Sequence, residues 1–184
     1  MRAFLLALSV AGLLLTGPVG AAVQYPLVLT LDAQFKSGVT TVTSKITIRV
    51  DQAMNDSVRT RVTDALKFGG YPNFVNTLRP VPPLGSIETQ SIKVVVRYTR
   101  EEQDGKGSRL ILVSDRPIFF LSTDPTKQKT GFELTIVDLR FDDRGGVTGQ
   151  MFGAARVRPA GDGNVLLDTY VEEPVQLKGT LGKP

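Results

Sequence analysis

From Leu27 onward, apolar residues recur at every second position, and this period of two restricts the fold more than any other feature of the chain. Residues 27, 29, 31, 33 and 35 share one apolar face, while Thr30, Asp32 and Gln34 lie on the other. Side chains alternate across a strand, so the segment reads as a half-buried β-strand. Thr40 to Val50 repeats the pattern, with Val42, Ile46, Ile48 and Val50 facing inward against Thr41, Thr43, Lys45, Thr47 and Arg49. The polar turn Lys36-Ser37-Gly38 between them predicts a hairpin.

The alternation continues downstream. Ile92, Val94, Val96 and Tyr98 alternate with Lys93, Val95, Arg97 and Thr99. Leu110 to Val113 follows the polar stretch 101–108, which reads as a long exposed hairpin tip. Ile118-Phe119-Phe120-Leu121 is apolar on both faces and predicts a central strand. In Phe132 to Phe141 the inward set begins as Phe132, Leu134 and Ile136, then shifts to Val137, Leu139 and Phe141, which predicts a β-bulge near Ile136. Val147 to Val157 carries Gly149, Gly153, Ala154 and Ala155, small enough for a neighbour to approach closely. Val165 to Tyr170 and Val175 to Leu177 complete the series.

One segment departs from it. Val58, Val62, Ala65 and Leu66 are spaced as on a helix, with Asn55 or Asp56 to cap its start and Gly69-Gly70 to end it. A shorter helix over Asn73 to Leu78 is stopped by Pro80, Pro82 and Pro83. The expected fold is therefore mainly β, an antiparallel β-sandwich or barrel of about 8–10 strands with one helical insert at residues 53–80. The insert is expected to plug the sheet, or else to form a lid on a barrel end.

Residues 1–22 read as an export signal. Arg2 precedes an apolar run of 13 residues, Ala3 to Leu15, and small residues end at Ala21-Ala22. The run is short for a membrane span, which needs roughly 20 residues. Cleavage after Ala21 or after Ala22 fits, and residues 23–184 then form a single β-rich domain with no transmembrane segment. Its expected place is the periplasm or the medium outside the cell. With no cysteine, such a domain has to be held by packing and hydrogen bonds alone.

The absent residues also restrict the chemistry. Without histidine or cysteine, the chain cannot build a Ser-His-Asp triad, a thiol nucleophile or a His-bound metal site. Ser44-Lys45 are strand neighbours pointing to opposite faces, and Gly105-Lys106-Gly107-Ser108 lacks the full phosphate-loop pattern. Asp142-Asp143 and Asp162-Gly163-Asn164 offer oxygen ligands to calcium, but turn roles suit them better. No cofactor or metal is expected. Taking Arg2 from the 22 Lys and Arg leaves 21 against 18 Asp and Glu, and the two signs are interspersed, so nucleic acid is not an expected partner.

Five residues stand out as a candidate ligand-binding patch. Asp115 and Arg116 sit beside Pro117 between two apolar strands, Asp138 and Arg140 occupy what began as the core-facing register, and Arg156 lies among small residues. Such charges need partners when partly buried, and could orient a ligand at a pocket mouth. Paired carboxylates, drawn from Asp115, Asp138, Asp142, Asp143, Asp168, Glu172 and Glu173, could alternatively serve a hydrolase or lyase acting with arginine.

The segments Leu110 to Ile118, Gly131-Phe132-Glu133-Leu134 and Ala154-Ala155-Arg156-Val157 resemble a family of uncharacterised exported bacterial proteins, a resemblance that implies no activity. Small periplasmic lipid-binding barrels and lipocalins offer a fold analogy through alternation and export. The leading expectation is a non-catalytic exported domain with a binding or envelope-associated structural role. The alternative is a carrier of an apolar small molecule in a barrel cavity. The expected partner is accordingly such a molecule or a component of the cell envelope.

Overall fold

The computed structural model of the chain describes residues 23–37, 39–103, 107–119, 130–160, 165–170 and 173–181. In chain order these form β1 (Leu27–Ser37), β2 (Thr40–Val50), α1 (Asp56–Leu78), β3 (Gly85–Glu88), β4 (Lys93–Val96), β5 (Tyr98–Gln103), β6 (Ser108–Ser114), β7 (Leu134–Phe141), β8 (Gly146–Pro159), β9 (Val165–Thr169) and β10 (Val175–Thr180). The strands make one antiparallel sheet in the order β4-β3-β2-β1-β10-β8-β7-β6-β5, with β9 attached to β8. Of the two expected architectures the chain takes the barrel, nearly closed. The near-closure has a local cause. β4 and β5 are separated only by Arg97, yet β4 pairs with β3 and β5 pairs with β6. The Arg97 amide donates to the Val113 carbonyl at 2.9 Å. One stretch of chain thus belongs to both ends of the sheet and curls it round.

The barrel interior is filled by the alternating residues. Leu29, Leu31, Ile46, Ile48, Ile87, Leu110, Leu112, Val137, Leu139 and Met151 pack there, none more than 1% exposed. The β1–β2 hairpin pairs from Leu27↔Val50 to Ser37↔Thr40, and its inward face is the expected one except that Val42, near the tip, is exposed.

A second core lies outside the barrel. Val62, Leu66, Phe74, Val75 and Leu78 of α1 pack with Tyr98, Val113, Leu134, Ile136, Ala155 and Val157 on the outer faces of β5 to β8. The helix therefore covers the wall of the barrel rather than plugging the sheet or lidding an end. This also explains the strands that are apolar on both faces. Leu134 and Ile136 point outward to the helix, while Val137, Leu139 and Phe141 point inward. The shift expected in β7 is in fact two-sided burial. A register break does occur there, but its extra residue is on β8, because Leu134 pairs with Ala155 and Ile136 with Phe152. The Gly153 carbonyl at the break accepts from the Ile118 amide at 2.7 Å and from the Thr135 hydroxyl at 3.2 Å. A Cβ on Gly153 would stand 2.0 Å from the Ile118 carbonyl oxygen.

Local signals shape α1. The Asn55 side chain accepts from the Ser57 amide, as a helix N-cap does. Gly70, at φ 70° and ψ −169°, interrupts the helical path, so the two expected helices meet as one kinked helix. Pro72 sits two residues beyond the kink, near the start of the second segment, where a missing N–H does little harm. No helix among the described residues is long and apolar enough to cross a membrane. Ile118 packs into the barrel core, and neither it nor Phe119 is in a strand; Phe120-Leu121 of the expected strand and Asp162-Gly163-Asn164 lie outside the described residues, as do residues 1–22.

Candidate functional site

Between α1 and the outer wall runs a groove of about 560 Å³. Leu66 and Phe74 of α1 form one side, and Ile111, Val113, Ile136, Phe152, Val157 and Leu167 form the floor. This apolar lining is not sealed. Ile111, Phe152 and Leu167 are only partly buried, and Val165 at its margin is 52% exposed. Tyr98 also lines the groove, and burial raises its pKa above the ordinary value.

One end of the groove is ionic. Arg100, Glu102, Arg109 and Asp138 form a chain across three neighbouring strands. Glu102 forms an ion pair with Arg100 at 2.8 Å through one oxygen and accepts from Arg109 at 3.0 Å through the other. The Arg109 guanidinium grips Asp138 with two hydrogen bonds of 2.9 Å each. The hydrogen bonds to Asp138 raise the Arg109 pKa, outweighing its partial burial. The strand register explains the arrangement. Arg109 stands directly opposite Glu102 on one side and Arg140 on the other, and Asp138 lies diagonally across. Without the two acids, the cross-strand Arg109–Arg140 neighbours would repel.

The five candidate residues divide among three settings. Asp138 and Arg140 alternate along the outer face of β7. Asp138 borders the groove, and both residues border a polar trough of about 500 Å³ with Gln34, Gln150, Gln176, Thr148 and Lys178. Asp115 lies 2.9 Å from Arg97 at the β4–β5 junction, an ion pair too bent to count as a hydrogen bond, while Arg97 also donates to the Val81 carbonyl at 2.5 Å. Arg116 contributes backbone contacts there, its carbonyl accepting from Thr135. Arg156 pairs with Asp168 at 3.0 Å and lies over the Phe132 ring, 5.1 Å from its centroid. Hydrogen bonding from Arg158, then from Arg156, lowers the Asp168 pKa.

Sequence reading did not single out Arg100, Glu102 or Arg109 as site residues. Glu102 falls in the stretch 101–108 expected to be a loop, but β5 runs to Gln103 and β6 starts at Ser108. Extending the alternation of Leu110 and Leu112 backwards and outwards would have placed Arg109, Ile111 and Val113 on one face. The turn reading of Asp142 corresponds to what is seen, since its carboxylate accepts from the amides of Arg144 and Gly146. Among the described residues no group of three His, Cys, Asp or Glu is placed to hold a metal.

No protein-family model, no curated protein and no solved structure matches this chain. Function has to be argued from the site itself.

Proposed function

We propose that this is an exported, non-catalytic binding domain whose groove beneath α1 holds an apolar small molecule with an uncharged hydrogen-bonding end. The observation that carries this reading is the part-open apolar lining that ends at a fully paired ionic chain. A groove of about 560 Å³ suits a small organic ligand and is too small for a folded partner. Apolar surface left partly open to water favours whatever covers it. The ionic end balances two arginines against two acids, and Arg109 is already held by Asp138 and Glu102, so a charged head group finds no free counter-ion. A neutral polar end can bond to Tyr98 or to the outer edges of that chain. The carrier reading belongs to this groove rather than to the barrel interior, which is packed with aliphatic side chains.

The test is titration with N-phenyl-1-naphthylamine, a neutral apolar fluorophore. Saturable one-to-one enhancement is expected, lost on Ile111→Glu and kept on Thr43→Ala at the other side of the sheet. Binding that is non-saturable, or unchanged by Ile111→Glu, refutes the groove.

A further inference from the structure

Glu101 is an acid on the inner face of a barrel whose core is largely aliphatic. Tyr98, Arg100 and Glu102 of β5 line the outer groove, so Thr99 and Glu101 face the other way, and Glu101 stands opposite the fully buried Leu110. A carboxylate so placed needs a cationic or hydrogen-bonding partner. Among the described residues no lysine or arginine pairs with it. Its contacts are the Val23 backbone nitrogen at 2.8 Å and the Gln103 side chain at 3.3 Å. Beside it, the Tyr25 hydroxyl is buried and lacks a hydrogen-bond partner, and its pKa is raised first by burial and then by the Glu101 charge. Val23 and Tyr25 both pack against the barrel core.

The geometry points to a processing site between Ala22 and Val23, whose new α-ammonium group is the cation that Glu101 is placed to receive. Hydrolysis adds water across this peptide bond. The hydroxyl goes to the Ala22 carbonyl carbon, and the Val23 nitrogen leaves with the added proton and becomes an ammonium at neutral pH. The catalyst is a signal-removing endopeptidase of the exporting cell. One N–H donor becomes three, of which one keeps the 2.8 Å contact and turns it into an ion pair. Cleavage one residue earlier would put the charge on Ala22, about 3.8 Å further along the chain, and leave Glu101 with a neutral amide. Among the described residues, both cores are built from positions at or beyond Val23. This inference rests on the export part of the proposed function and is independent of the groove.

Two measurements test it. Intact mass of the protein recovered from the envelope of exporting bacterial cells is expected to show a chain starting at Val23; a start at Ala22 or a retained Met1 overturns the site. The pairing is tested on chains released from a fusion to start at either Val23 or Ala22, each with and without Glu101→Gln. The Val23 chain is expected to have a folding equilibrium constant about fivefold larger than the Ala22 chain, the size of a part-exposed charged hydrogen bond. Glu101→Gln is expected to abolish that difference. A difference under about twofold, or one that survives Glu101→Gln, overturns the pairing. Should the Gln variant not fold, acetylation of the Val23 amine replaces it and is expected to cause the same loss. N-phenyl-1-naphthylamine binding is expected to be unchanged in all these chains, so failure here and failure of the groove are told apart.

Discussion

Replacing Tyr71 by Phe isolates the bond that ties the kink of α1 to the turn segment leading into β7. The Tyr71 hydroxyl donates to the Glu133 carboxylate at 2.5 Å and accepts from the Glu133 amide at 3.2 Å. The other carboxylate oxygen accepts from the Gly131 amide at 3.0 Å. Phe keeps the ring and its packing, so only these bonds are lost. A hydrogen bond to a charged group contributes about 1.5–3 kcal/mol when buried, and partial exposure of Glu133 brings that to about 1 kcal/mol. With a urea m-value of about 2 kcal/mol/M, the midpoint should fall by about 0.5 M at pH 7.

The pH dependence gives a sharper test. Burial alone would raise the Glu133 pKa, but hydrogen bonds from Tyr71 and from the Gly131 and Glu133 amides outweigh it, with Arg79 helping, and the net shift is downward. A lowered folded pKa means the contribution is complete above the unfolded value near 4.5 and disappears as pH falls through the folded value. The Tyr71 pKa moves the other way, raised first by burial and then by its bond to Glu133. That contribution is complete below the unfolded value near 10 and fades as pH rises beyond it. The gap between wild type and Tyr71→Phe should therefore be widest between about pH 5 and pH 9 and should narrow on both sides. Urea titrations at pH 3, 7 and 10.5 measure it. A loss below about 0.3 kcal/mol at pH 7, or one that does not change with pH, would refute the reasoning.

Leu31 in the barrel and Leu78 under the helix are both fully buried, so each change to Ala should cost about 2–5 kcal/mol. Because they belong to separate cores, the double variant should be additive within about 0.5 kcal/mol, and a coupling above about 1 kcal/mol would mean that the two cores are one. Gly153→Ala should lower stability by more than about 1 kcal/mol, since its Cβ meets backbone that cannot easily move; an unchanged thermal midpoint would contradict the tight approach of Ile118. Asp115→Ala leaves Arg97 without its counter-ion and should cost about 2 kcal/mol while naphthylamine binding persists. Loss of binding at unchanged stability would make Asp115 part of the ligand site instead.

The β1–β2 hairpin was legible because one of its faces meets water, so its alternation is clean. In β7 the alternation blurred, because a strand covered on both sides is apolar at nearly every position. The helix was recognised from its spacing and its caps, but nothing in its own residues says whether its apolar side meets a barrel end or a barrel wall. Asp138 and Arg140 were recognised as charges in an apolar register. The partner of Asp138, Arg109, is 29 residues away in the chain and is brought to it by strand pairing.

Sequence alone determined what can be decided within one element. It specified the strand periodicity, the Asn55 cap, the Gly70 break and the lack of histidine and cysteine, because each depends on neighbouring residues or on composition. Tertiary structure decided the barrel over the sandwich, the helix on the outer wall, and the meeting of Val23 with Glu101 across 78 residues. Those outcomes depend on which strands pair. Pairing is set by the burial of faces that belong to different segments, so no single segment encodes it.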